Sequence, residues 1–145
     1  MKKSIYLLVL VIMLCLMLTG CVAAKEQVID VDLTALSSTM RSAEIYNMQA
    51  RPAGYVGKTV KMRGNYFSSY SEEKDTQYHF VLIPDAAACC QQGMEFIWTG
   101  EHTYPDDYPE INQYIEVIGV YDVYEEDGNF FYYVATEGIT TPSGD

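Results

Sequence analysis

The pattern of apolar and polar positions changes twice along the chain. Ile5 to Leu18 is an almost unbroken apolar run of 14 residues, shorter than the ~20 residues that a membrane-spanning helix needs. From Asp32 to Ala50 the period becomes helical. Leu33, Leu36, Met40, Ala43 and Met48 fall near one face, and Arg51-Pro52 closes the segment. Ser37, Ser38 and Thr39 interrupt the helix formers, which moves the expected start toward Thr39.

From Lys58 onward the period is two. Val60, Met62, Gly64 and Tyr66 alternate with Lys61, Arg63 and Asn65 through Phe67, as in a half-buried strand. Gly64 inside that run predicts a bulge or a sharp bend. Further strands are predicted at Gln77–Ile83, Met94–Thr99, Tyr114–Tyr124 and Phe130–Ala135, with Asp127-Gly128 as a hairpin turn between the last two. One helix followed by five strands, two of them carrying an internal glycine, predicts a mainly β fold. The expectation is a five-stranded OB-like barrel over residues 32–139, preceded by one N-terminal helix. A mixed α+β sandwich is the alternative. An OB barrel usually carries a helix between its third and fourth strands. Here that connection, 101–113, is short and marked by Pro105 and Pro109. Residues 140–145 are expected to form a disordered tail.

Lys2 and Lys3 before the apolar run give it the form of an export signal. Leu18-Thr19-Gly20-Cys21 directly after it resembles the lipobox of bacterial lipoproteins. That resemblance implies a signal peptide over 1–20, lipidation at Cys21, and a position on the outer face of a membrane. Cys15 would leave with the signal. Residues 21–31 then read as a tether, small and polar at Val22-Ala23-Ala24-Lys25-Glu26-Gln27.

Charge narrows the partners. The chain carries 20 acidic and 9 basic side chains, a net charge of -11. Without Lys2 and Lys3 the net charge is -13. Such a surface repels phosphate backbones, which argues against nucleic acid. The chain has no GxxxxGK[ST], GxGxxG, HExxH or GxSxG motif, and no catalytic residue is assigned.

Tyr55-Val56-Gly57-Lys58-Thr59-Val60 with Gly64, and Cys89-Cys90-Gln91-Gln92-Gly93-Met94-Glu95-Phe96, resemble segments of small OB-like lipoproteins of Firmicutes of uncharacterised function. A more distant resemblance is to the C-terminal domain of membrane-associated proteins paired with predicted permeases, which also show a paired cysteine. Both resemblances imply the fold, and neither implies an activity; a membrane-protein or cell-surface partner is a separate expectation.

Adjacent Cys89 and Cys90 lie between the second and third strands. Adjacent α-carbons sit ~3.8 Å apart across a trans peptide, below the ~4.4–6.8 Å of ordinary disulfides. A bridge between them would therefore be strained and easily reduced. Three readings are open: packing, a thiol redox role, or a metal site. In the last, His79 and His102 would complete the site beside Glu95 or Asp85, and thiolate with imidazole would favour Zn2+ or Cu+. The acidic segment 104–110 lacks the ligand spacing of an EF-hand and reads as a solvated loop. Aromatic residues are abundant, and Tyr121, Tyr133 and Trp98 on the strands form a candidate platform for a peptide or carbohydrate. The expected function is a lipid-anchored binding or accessory module at the cell surface. A redox protein using Cys89 and Cys90, or an adaptor using its aromatic face, is the alternative.

Overall fold

The computed structural model describes residues 27–85 and 91–142. The proposed signal 1–20, Cys21, Cys89, Cys90 and residues 143–145 lie outside the described residues. Among the described residues no helix is long and apolar enough to cross a membrane.

The ordered body starts earlier than the sequence pattern implies. Strand β1 (Val31–Asp32) pairs in parallel with the start of β2 (Thr59–Ser71). Asp30 secures the junction twice: its N–H donates to the Thr59 carbonyl at 2.9 Å, and its Oδ2 accepts from the Thr59 N–H at 2.8 Å. Residues 30 and 31, assigned to the tether from sequence, thus belong to the barrel edge. Asp32 Oδ1 then accepts from the Thr34 N–H and hydroxyl and from the Ala35 N–H, closing a tight turn. The turn delivers Leu33 into the core, where it is fully buried.

Helix α1 (Ser38–Ala50) starts where Ser37 caps it, the Ser37 hydroxyl accepting from the Met40 N–H at 3.4 Å. It stops before Pro52, which cannot continue the backbone ladder. Ile45 and Met48, three positions apart, are its two fully buried residues.

The remaining strands are β3 (Thr76–Pro84), β4 (Gln91–Trp98), β5 (Tyr114–Glu126) and β6 (Asn129–Thr140). Strand β2 is shared. Its first half, to Asn65, pairs antiparallel with β5, and its second half, from Asn65, pairs antiparallel with β3. Strand β4 pairs antiparallel with β3 and parallel with β6, and β5 pairs antiparallel with β6. The circuit β2-β3-β4-β6-β5-β2 is closed. The protein is mainly β, a closed five-stranded OB-like barrel preceded by one helix. An open sandwich is excluded by the closure.

Closure demands close backbone approach at two inward glycines. A β-carbon on Gly64 would lie 2.3 Å from the Leu82 carbonyl oxygen, and one on Gly119 would lie 2.0 Å from that of Ala135. The bulge expected at Gly64 sits elsewhere. Gly64 pairs regularly with Ile115, and the register shift falls between Val117 and Gly119, across β5 and β6. The β5–β6 hairpin turns at Asp127-Gly128 with φ of 51° and 76°, the left-handed pair that a tight hairpin needs. Strand β6 runs five residues beyond the predicted Ala135, and Thr141 accepts from the Gln113 side chain at 3.0 Å. Thr140, expected in the tail, therefore belongs to β6.

Candidate functional site

The connection from β4 to β5 contains no helix. Its Asp106, Asp107 and Glu110 are exposed, as a solvated loop requires, but Tyr108 turns inward over one end of the barrel, with the exposed Tyr104 ring beside it. Asp107 holds that turn: its carboxylate accepts from the Thr103 N–H at 2.7 Å, and its own N–H donates to the Thr103 carbonyl at 3.0 Å. Tyr108 stacks on the His79 ring at 4.0 Å between centroids. Trp98 meets the edge of Tyr108 at 5.5 Å and stacks on His102 at 3.8 Å. The result is a continuous string of rings from His102 through Trp98 and Tyr108 to His79. Aromatic pairs in such stacked and edge-on geometries add to what area burial alone supplies.

Beside this string the sheet opens. Strands β3 and β4 pair from Pro84–Gln91 as far as Phe80–Glu95 and no further. Beyond that point β3 continues against β2, from Phe80 to Thr76, while β4 continues against β6, from Glu95 to Trp98. The two strands part and leave a cleft of about 330 Å3 between them. His79 and Phe96 line its inner side, Trp98 and Tyr108 its end, and Glu95 and Tyr124 its outer side. This places the opening on the second and third barrel strands, where OB-like barrels take ligands, beside the loops 72–75 and 127–128.

Two titratable groups in the cleft are displaced in opposite senses by the same cause. Burial lowers the His79 imidazole to about 4, so the ring is neutral at pH 7. Its Nδ1 lies 2.8 Å from the Tyr66 hydroxyl, and the phenol, as the more acidic group, is assigned as donor. Burial also raises the Tyr66 phenol to about 12, so it keeps its proton. Glu95 is pushed up to about 7, first by burial and further by the negative charge of Glu126; hydrogen bonds from the Tyr124 hydroxyl at 3.0 and 3.2 Å oppose the rise. The Tyr124 phenol rises in turn, mainly through burial and then through the charge of Glu95.

Glu126 is satisfied differently. It is paired with Lys74, which also reaches Asp127 at 3.0 Å, and it accepts from the Tyr78 hydroxyl at 2.9 Å. Among the described residues Glu95 forms no ion pair. The arrangement can hold a small molecule against rings, with one acid whose charge is uncompensated.

The residues singled out from sequence separate into groups. Trp98 lines the cleft, and Tyr133 lies on the outer face next to it, in register with Glu95 and 5.7 Å from the Tyr124 ring. Tyr121 does not belong to the platform. It faces the barrel interior, is 2% exposed, and donates its hydroxyl to the Met48 carbonyl at 3.2 Å. An inward position on β5 makes it a core ring.

His79 and His102 stand at the same end, with Tyr108 and Trp98 between them, and both have other partners: Tyr66 for His79, and the Thr99 carbonyl at 3.1 Å for His102 Nε2. The strand ends that bracket Cys89 and Cys90 are Pro84 and Gln91, which pair with each other. Pro84 is five residues from His79, roughly 16 Å along a strand. Cys89 and Cys90, the cysteine half of the expected metal site, lie outside the described residues. Among the described residues no group of three or more His, Cys, Asp or Glu side chains is placed to hold a metal.

Sequence reasoning missed Tyr108 because acidic neighbours masked it, and missed Tyr66 because it read only as a strand residue. The paired Tyr-Pro units, Tyr104-Pro105 and Tyr108-Pro109, were the available signal: two rings spaced to lie on one side of a short turn. Compared with protein-family models, with curated proteins and with solved structures, the chain matches none.

Proposed function

We propose that the protein is a lipid-anchored binding module on the outer face of a membrane, holding a small ligand in the cleft between β3 and β4. The parting of these strands past Phe80–Glu95 carries the reading: it opens a walled cavity on the ligand-bearing face of an OB-like barrel. Its mixture of ring faces with a few polar groups is the usual lining of a small-molecule site. The anchor rests on Leu18-Thr19-Gly20-Cys21 after the apolar run, and the negative charge of the chain favours partners other than nucleic acid.

Trp98 is the single tryptophan of the chain, so its fluorescence reports on the cleft alone. Titration with tetramethylammonium, N-acetylglucosamine and triglycine should give a saturable shift of Trp98 emission for at least one of them, which Tyr108→Ala abolishes. A silent Trp98 with all three would overturn the binding role. For the anchor, metabolic labelling with palmitate should mark the wild type and leave Cys21→Ser unlabelled. Equal labelling of both would remove the lipoprotein reading.

A further inference from the structure

Resting on that binding role, we propose that the cleft selects an organic cation, with an ammonium centre against the Glu95 carboxylate and its substituents on the rings of Trp98, Tyr108 and Tyr124. The charges of the cleft argue for this class. Among the described residues its lining holds two carboxylates, Glu95 and Glu126, and neither Lys nor Arg. Lys74 and the Tyr78 hydroxyl already serve Glu126. Among the described residues Glu95 is served only by a neutral phenol, so a half-buried carboxylate faces the cavity with no ion-pair partner. An anion entering this space would meet Glu95 and a Glu126 whose cation, Lys74, is already engaged. A neutral saccharide would leave the carboxylate as poorly solvated as before.

An ammonium group supplies the missing charge, and ring faces attract it through their quadrupoles once water is excluded. The cavity of about 330 Å3 matches a compact ligand rather than a polymer segment. The net charge of -11 draws cations toward the surface from a distance.

Seating a cation also changes a protonation state. In the free protein burial holds Glu95 up at about 7, so near and below neutrality the carboxyl carries a proton. A bound ammonium stabilises the carboxylate, and that proton passes to bulk water as the ion pair forms. The groups facing Glu95 are Tyr78 on β3, Tyr124 and Glu126 on β5, and Tyr133 on β6, with Asp122 across from Tyr133. Lys74 lies beyond them on Glu126. The tyrosines here keep their protons through the neutral range, since each is shifted upward. His79, at about 4, is neutral above pH 5.

Tetramethylammonium does not titrate, so any pH dependence of its binding belongs to the protein. Calorimetric titration of the full-length protein should give affinity that climbs about tenfold per pH unit below about 7 and levels off above it. Proton release should appear as a dependence of the heat on the ionisation enthalpy of the buffer. Glu95→Gln, which keeps the side-chain shape, should bind at least tenfold more weakly at pH 8 and lose the pH dependence. An unchanged melting temperature or a higher one would exclude misfolding as the cause. Equal affinity of wild type and Glu95→Gln, or a flat profile in the wild type, would overturn the proposal. If N-acetylglucosamine shifts Trp98 emission and tetramethylammonium does not, the cation class is wrong while the binding role stands. If no probe shifts it, both fall.

Discussion

At one end of the barrel, Ile45 and Met48 of α1 join Leu33, Val60 and Tyr121 in a fully buried, mostly aliphatic layer. At the other end, roughly 20 Å away along β2, Tyr66, His79, Tyr108 and Trp98 close the barrel with stacked rings. Both ends exclude water from the interior, but by different means. The helical end holds one buried polar contact that solution conditions leave alone, the Tyr121 hydroxyl on the Met48 carbonyl. The aromatic end holds an imidazole and a carboxyl whose protonation is set by burial, beside an open cleft. The first end supplies stability. The second gives up close packing for groups that respond to ligand and pH.

The largest expected effect tests the helical end. Ile45→Ala removes a fully buried aliphatic side chain and should cost about 3–4 kcal/mol in urea denaturation, the range for such a cavity. It should leave the pH dependence of Trp98 fluorescence unchanged. A cost below about 1 kcal/mol would mean that α1 only rests on a barrel that is stable without it.

At the aromatic end the next effect comes from His79. Its folded value of about 4 lies below the ordinary 6.5, so the unfolded chain binds the extra proton between those values. The stabilising preference for the neutral ring is complete above pH 6.5 and is lost as pH falls to about 4, up to about 3 kcal/mol. Glu95 has the opposite sign. Its folded value of about 7 exceeds the ordinary 4.5, so stability falls as pH rises from 4.5 through 7. With Glu95 discounted for partial exposure, that contribution is about 1–2 kcal/mol.

The two slopes oppose each other between pH 4.5 and 6.5, and the wild type shows only their difference. Glu95→Gln separates them. It should be more stable than wild type at pH 8 by about 1–2 kcal/mol, equal to it near pH 5, and visibly less stable with acid below pH 6.5. Chemical denaturation midpoints from pH 4 to pH 8 read all three. Parallel profiles for the two proteins would show that burial at this end is too shallow to matter.

The contrast between the two ends also marks what the sequence made legible. Alternation located every barrel strand, because an inward-facing row leaves a period of two whichever neighbour it pairs with. The left-handed pair Asp127-Gly128 announced its turn, and the start of α1 at Ser38 falls one residue before the expected Thr39. Strand β1 left no signal, since two residues joined by Asp30 make no period. The cleft left almost none. It arises because β3 and β4 exchange partners after Phe80 and Glu95, and partner choice is a property of the closed circuit rather than of either segment. Glu95 therefore reads as an ordinary outward polar residue on an alternating strand, and Tyr121 as a platform ring. Glu95 does face outward, but into the cleft, and Tyr121 shares the buried row of Ile115, Val117 and Gly119.

Closure of the barrel also sets the order in which the chain can acquire its structure. The β2–β3 and β5–β6 hairpins join neighbours along the chain, and each needs only a short turn to form. The seam from Val60 to Gly119 and the parallel seam from Glu95 to Tyr133 join distant segments, and neither exists until the last two strands are available. Loop entropy must be spent before such seams return anything, so folding of this topology is slow for its size. A partly emerged chain would expose the unpaired edge of β2 until β5 arrives. That window makes aggregation through the β2 edge the principal hazard of overproduction.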